Sequence, residues 1–113
     1  MPYVHLRTDR LLSEEACREL RHAIIEDLAQ YLAKTPARGM VQIDTEQCIA
    51  MGDGEANCAF VEVRVHGRLD AAASDAFAVA LKRDVATLLA LKPARVYLHI
   101  METQNGEING NIY

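Results

Sequence analysis

The chain has 113 residues, half of them hydrophobic, with a formal net charge of −4 at pH 7 and a pI of about 5.5. This length predicts a single domain over residues 1–113, with enough apolar side chains for a core. The lack of a basic run argues against nucleic acid as a partner, and the apolar runs are too short to span a membrane.

The start of the chain and the cysteines bear on its compartment. Charged residues interrupt the first ten positions, so we expect no signal peptide. Cys17, Cys48 and Cys58 are odd in number and never spaced as CxxC. They predict reduced, mostly buried thiols in a cytoplasmic protein.

The first half of the chain predicts a strand, a helix and a second strand. Apolar and polar side chains alternate at about Tyr3–Thr8, as in a half-buried strand. Ser13 is placed to cap the helix that follows, and Pro36 should end that helix near Lys34. Alternation resumes in a second strand within residues 38–45.

The second half, residues 57–113, repeats the order of residues 1–56. A strand within residues 58–67 precedes a helix over Asp70–Leu91, whose buried stripe is predicted to include Leu88. Pro93 should end this helix, and residues 94–101 alternate as a fourth strand. Two Asn-Gly pairs in the polar tail favour a short hairpin.

Two consecutive β-α-β units predict an α/β (α+β) fold, a four-stranded mixed sheet with both helices on one face. The face beneath the helices should be aliphatic: Val4, Leu6, Val41, Ile43, Val61, Val63, Val65, Val96, Leu98 and Ile100. The opposite face is mixed: Tyr3, His5, Gln42, Phe60, Arg64, Tyr97, His99 and Met101. Such sheets are seldom open on one face, which favours a subunit interface over the alternative, a solvated face of a monomer.

Pro2 is the candidate for chemistry in the opening stretch. If Met1 is removed, its ring nitrogen becomes a free secondary amine, which is a base and a nucleophile. If Met1 stays, the same nitrogen is a tertiary amide with neither property. Taken alone, a proline at this position is more often an ordinary second residue.

The proline after Met1, the duplicated β-α-β pattern, a lysine after the first helix and RVY in the last strand together resemble the tautomerase superfamily. More narrowly, the chain is similar to macrophage migration inhibitory factor and its bacterial relatives. The segments that carry the resemblance are MPYVHLRT, YLAKTPAR, CAFVEVRVHGRL and ARVYLHIMETQNGEING. They span essentially the whole chain in the family's order, with a difference of one residue in length before the lysine.

The resemblance implies a cofactor-independent isomerase, a keto–enol tautomerase of small 2-oxo acids such as phenylpyruvate. It implies a homotrimer with active sites between subunits, and a small-molecule carboxylate as substrate. Pro2 matches the catalytic acid–base and Lys34 the residue that meets the substrate carboxylate. Tyr97 matches a pocket tyrosine delivered by the neighbouring subunit.

The resemblance also implies residues that bind substrate. Val65 and His66 match the place where a strand backbone N–H contacts substrate, and Ile108 matches an apolar pocket wall. Arg38 stands where the animal protein has a tyrosine, and His99 where it has an asparagine. The scattered histidines show no metal-ligand spacing, so no metal is expected.

Two alternatives remain open at the level of sequence. Arg38, Arg64 and Arg68 suit a related proline-dependent isomerase, dehalogenase or decarboxylase that acts on a different carboxylate. A non-enzymatic trimeric binding protein is the other alternative. Arg64 is more typical of a salt bridge with Glu62, and His99 of an interface hydrogen bond.

Overall fold

The fold is a four-stranded mixed sheet with two helices packed on one face. The strands are β1 (Tyr3–Thr8), β2 (Met40–Asp44), β3 (Ala59–His66) and β4 (Val96–Thr103), and the helices are α1 (Glu14–Leu32) and α2 (Ala71–Leu89). The structure, a computed structural model, describes residues 2–104 and the backbone of residues 107–108 and 111–112.

The strand order is β2-β1-β3-β4. The strands of each β-α-β unit run parallel, β1 with β2 and β3 with β4, and the units meet through the antiparallel β1 and β3. This arrangement confirms the predicted fold class. The strands β5 (Glu107–Ile108) and β6 (Asn111–Ile112) pair antiparallel, which confirms the hairpin predicted in the tail.

Both helices end earlier than their prolines predicted. The Ser13 hydroxyl caps α1 as expected, accepting the Ala16 N–H at 3.0 Å. Ala33 then takes the left-handed conformation with φ 54°, so α1 ends before Lys34. A left-handed residue satisfies the last helical carbonyls and turns the chain away. Each proline instead begins a short 3-10 turn, at Pro36–Arg38 and Pro93–Arg95.

The second helix is also shorter than the predicted Asp70–Leu91. Asp70 lies outside it as the N-cap, with its carboxylate accepting the Ala73 N–H at 3.0 Å, and Ala90 ends it with φ 55°. Within the described part of the chain, no helix is long and apolar enough to cross a membrane.

The core lies between the helices and the aliphatic face of the sheet, as the alternation predicted. On this face the side chains of the central strands β1 and β3 are fully buried. Those of β2 and of the later part of β4 are partly buried at the margin of the core. The buried residues are Val4, Leu6, Leu20, Ile24, Leu28, Ala59, Val61, Val63, Val65, Phe77, Leu81, Val85, Ala86, Leu89 and Val96.

Some burial predictions were wrong. Leu88 is 36 % exposed, because it lines the groove between the two helices rather than packing on the sheet. Only Cys58 of the three free cysteines is buried, whereas Cys48 is exposed and Cys17 is half-buried. Cys48 lies in the irregular segment between β2 and β3, where periodicity gives no guide to burial.

Candidate functional site

Pro2 lies at one end of the sheet, in the line of β1. It is buried, and its carbonyl accepts the Met40 N–H at 3.0 Å, which extends the parallel ladder between β1 and β2. On the other side of β1, Tyr3 pairs with Arg64. Continuing that antiparallel register brings Pro2 beside the end of β3, where Val65 and His66 lie.

Lys34 reaches the same end of the sheet from the helix layer. The left-handed cap at Ala33 turns the chain back, and the Lys34 N–H donates to the Leu28 carbonyl at 3.1 Å. The half-buried side chain then extends toward β3, and its ammonium donates to the His66 carbonyl at 3.4 Å. The structure therefore brings Lys34 and His66 together at the end of the sheet where Pro2 directly precedes β1.

Further cations surround this end of the sheet. Arg38 is exposed and ends the 3-10 turn two residues before the Met40 that binds Pro2. The Arg64 guanidinium lies 5.9 Å from the centre of the Tyr3 ring. Arg68 is also exposed and follows Gly67, whose φ of 87° turns the chain at the end of β3. Three arginines therefore lie close in the chain to the strand ends beside Pro2, in addition to Lys34.

Tyr97 and His99 lie elsewhere in the same chain. Tyr97 pairs with Phe60 and His99 with Glu62, toward the opposite end of the sheet from His66. The stretch of β3 from Phe60 to His66 spans roughly 20 Å at the usual rise per residue. One copy of the chain therefore does not bring Tyr97 to Pro2.

A surface groove of about 710 Å³ runs beside Tyr97 and His99, between β4 and α2. Its lining includes Val79 and Lys82, and it reaches neither Pro2 nor Lys34. Tyr97 is 57 % exposed there, so its ring is not ordinary core packing. The side chain of Ile108 lies outside the described residues.

The mixed face of the sheet carries a network that sequence reasoning largely missed. The His5 ring bonds the Asp44 carboxylate at 2.6 Å, and Arg7 donates to Glu62 at 2.5 Å. The Arg64–Glu62 ion pair, at 3.8 Å, is the one that was predicted. The first two pairs are both diagonal, because the cross-strand registers place Asp44 opposite Arg7 and Glu62 opposite His5. These registers could not be known from the sequence.

These contacts change the acidity of both carboxyl groups. The hydrogen bond from His5 lowers the pKa of Asp44, and the hydrogen bond from Arg7 lowers the pKa of Glu62. Both groups therefore stay ionised through neutral pH. Among residues 2–104, no group of three or more His, Cys, Asp or Glu side chains could hold a metal ion.

One family model matches nearly the whole chain. A family model described as macrophage migration inhibitory factor (MIF) matches residues 1–112. No curated protein matches the chain.

Solved structures share the fold at low sequence identity. The MIF2 of Leishmania major aligns with a TM-score of 0.91 at 17 % identity, over 100 % of this chain and 97 % of that one. A fused 4-OT described as a symmetric trimer gives 0.86 at 17 % identity, over 97 % and 94 %. Pt0534, solved after inactivation by 2-oxo-3-pentynoate, gives 0.85 at 15 % identity, over 96 % and 93 %.

Proposed function

Because the chain belongs to the macrophage migration inhibitory factor family, we propose that it is a cofactor-independent keto–enol tautomerase of small 2-oxo acids. Pro2 is the acid–base catalyst once Met1 is removed. The observation that carries this proposal is the contact between Lys34 and His66 at the end of the sheet where Pro2 directly precedes β1. The inactivation of Pt0534 by a 2-oxo acid supports the substrate class.

The chemistry needs a base that works near neutral pH. A free α-amine has a reference pKa of roughly 7.7–8.0, close to the value that favours proton transfer in both directions. Pro2 is buried and shares its end of the sheet with cations. Both features disfavour an added positive charge on the ring nitrogen and keep it a base.

In the proposed reaction, the Lys34 ammonium binds the substrate carboxylate by a charge-assisted hydrogen bond. The Pro2 nitrogen takes a proton from the carbon next to the keto group. The released electron pair forms a carbon–carbon double bond while the π pair of the C=O bond moves onto the oxygen. The protonated Pro2 nitrogen then gives its proton to this oxygen, which yields the enol and restores the base. Hydrogen-bond donors already in place stabilise the charge that develops on this oxygen, a role for the β3 backbone near His66 and for Tyr97.

Tyr97 can take this role only from another copy of the chain, since its own sheet holds it far from Pro2. We therefore propose a homotrimer with active sites between subunits, with Tyr97 and His99 facing the neighbour's Pro2. The symmetric trimer formed by the fused 4-OT of the same fold supports this assembly.

The test measures enolisation of phenylpyruvate by protein whose N-terminus has been verified by intact mass. Pro2→Gly keeps a free α-amine but loses the ring that makes the amine secondary and fixes its position, so we expect a partial loss of activity. A second variant carries one alanine inserted before Pro2, which keeps the ring but makes its nitrogen an amide. This variant should lose activity by at least about a hundredfold, because general acid–base catalysis typically contributes that much, and both variants should keep the oligomeric mass. Wild-type activity in either one contradicts the role of Pro2.

A second candidate is a related reaction on a dicarboxylate, favoured by the cations around Pro2. Lys34 is sufficient to bind the single carboxylate of a monocarboxylic acid. Arg38 and Arg68, which are exposed, and Arg64, which pairs with Glu62, would then be available for a second carboxylate. Turnover of a 2-oxo dicarboxylate much faster than phenylpyruvate would favour this candidate.

A further inference from the structure

The two helices hold a pair of carboxyl groups away from the Pro2 end of the sheet. Asp27 on α1 is only 5 % exposed, and Asp84 on α2 lies within hydrogen-bond reach of it. Both line a narrow groove between the helices, together with Ala23, Thr87 and Leu88. The reaction proposed above assigns no role to Asp27 or Asp84.

The surroundings offer these two carboxyl groups one exposed cation and leave one buried oxygen without a donor. Oδ2 of Asp27 is buried and, among the described residues, receives no hydrogen bond. The charged groups that face Asp27 are Asp84 and Arg83 on α2 and Glu26 on its own helix. Arg83 pairs with Asp84 at 3.3 Å, and its side chain is 63 % exposed. The sheet beneath offers aliphatic side chains.

An ionised aspartate accepts hydrogen bonds but cannot donate one. Two ionised aspartates in contact would therefore repel each other and leave the buried oxygen of Asp27 unsatisfied. A single proton on the pair removes one charge and supplies the missing donor, because the O–H of one carboxyl group can bond an oxygen of the other.

We propose that Asp27 carries a proton whose O–H bonds Asp84, and that this contact acts as a pH-sensitive latch between α1 and α2, closed when the proton is present and weakened when it leaves. Burial, then the hydrogen bond and repulsion from Asp84, raise the pKa of Asp27 to about 7. The latch therefore opens around neutral pH, where an ordinary aspartate has long been ionised.

The sign of the effect on stability follows from proton linkage. The raised pKa means that the folded chain holds more protons than the unfolded chain between about pH 4 and pH 7. Its stability should fall as pH rises through this window and level off above it. This is opposite to the behaviour of Asp44 and Glu62, whose lowered pKa values favour the folded state once pH is above the ordinary carboxyl range.

The first experiment follows the side-chain carboxyl carbon of Asp27 by NMR from pH 3 to pH 9 in the full chain. We expect a titration midpoint near neutral pH in the wild type. In the Asp84→Asn variant the midpoint should fall by at least one pH unit, because the asparagine amide donates to an ionised Asp27. A midpoint near 4 in the wild type overturns the proposal.

The second experiment compares urea unfolding of the wild type and Asp27→Asn at pH 5 and pH 8, at one protein concentration. The asparagine side chain has nearly the shape of aspartate, and its amide group supplies a hydrogen-bond donor at any pH. The wild type should lose stability between pH 5 and pH 8, whereas the asparagine at position 27 does not titrate. We therefore expect the equilibrium constant for unfolding of Asp27→Asn, divided by that of the wild type, to fall by roughly one to two orders of magnitude from pH 5 to pH 8. Asp75→Asn is the matched control, an exposed aspartate on α2.

The control should show the wild-type pH dependence. A ratio for Asp27→Asn that stays constant with pH overturns the latch. If Asp27→Asn does not fold, the NMR titration of the wild type and Asp84→Asn decides the question alone.

Discussion

At the scale of single residues, Lys34 shows how a local turn places a functional group. Its ammonium reaches the His66 carbonyl because the left-handed Ala33 reverses the chain directly after α1. A helix that continued through Lys34, as predicted from Pro36, would present this side chain along the helix surface. The cap therefore determines the site as much as the lysine does.

Arg38 is the residue that best separates the two substrate classes. It is exposed beside the β1–β2 end, and the described residues include no ion pair to it. If it binds a second carboxylate, Arg38→Ala should lower kcat/KM for a 2-oxo dicarboxylate by roughly tenfold to a hundredfold, the range for a hydrogen bond to a charged group. Phenylpyruvate turnover should change less than about twofold.

The control for this measurement is Arg21→Ala, which removes an exposed positive charge from α1. It tests whether a general loss of charge weakens the attraction of a dianion. Equal losses for both substrates in Arg38→Ala would show that Arg38 does not select the dicarboxylate.

At the scale of elements, each helix is bounded by a side-chain cap at its start and a left-handed alanine at its end. These caps position the helices over the sheet, and through α1 they position Lys34. The strand registers then bring the start of β1 to the end of β3. The site therefore forms where β1 and β2 begin and where α1 and β3 end.

The cap of α1 can be tested by Ser13→Ala, which removes the acceptor for the Ala16 N–H. We expect a loss of about 1 kcal/mol in the free energy of unfolding, measured by urea denaturation at fixed protein concentration. Ser13→Asp keeps an acceptor at this position and should retain the wild-type stability. A Ser13→Ala protein as stable as the wild type would show that other contacts define this helix end.

At the scale of the whole molecule, the separation of Tyr97 from Pro2 predicts that active sites are shared. Lys34→Ala and Tyr97→Phe should each be weakly active alone. In a refolded equal mixture, a site regains both residues when Lys34 comes from one variant and Tyr97 from the other. In a cyclic trimer this applies to about a quarter of the sites, so activity should recover to about a quarter of the wild type.

The matched control mixes Lys34→Ala with the variant that carries one alanine inserted before Pro2. Both residues come from the same chain in each site, so no mixed trimer restores them together. Mass spectrometry of intact oligomers confirms that subunits have exchanged. Exchange without recovery for the first pair would contradict the delivery of Tyr97 by a neighbouring copy.

Sequence periodicity determined the elements, their order and the buried face of the sheet. Alternation in β1 and β3 depends on nearest neighbours along the chain, and it correctly predicted that Val4, Leu6, Val61 and Val63 are buried. Turn chemistry in the tail likewise predicted the hairpin of β5 and β6. The sequence alone also identified Pro2 as the candidate catalyst and indicated the family.

The tertiary structure decided which of these residues meet. Register and crossover brought Lys34 to His66 and kept Tyr97 at the far end, and no local pattern encodes either distance. Packing between the helices likewise buried Asp27 against Asp84, although an aspartate is ordinarily expected at the surface. The physical reason is the same in each case: periodicity specifies the face on which a side chain lies, whereas a contact between distant residues depends on how whole elements pack.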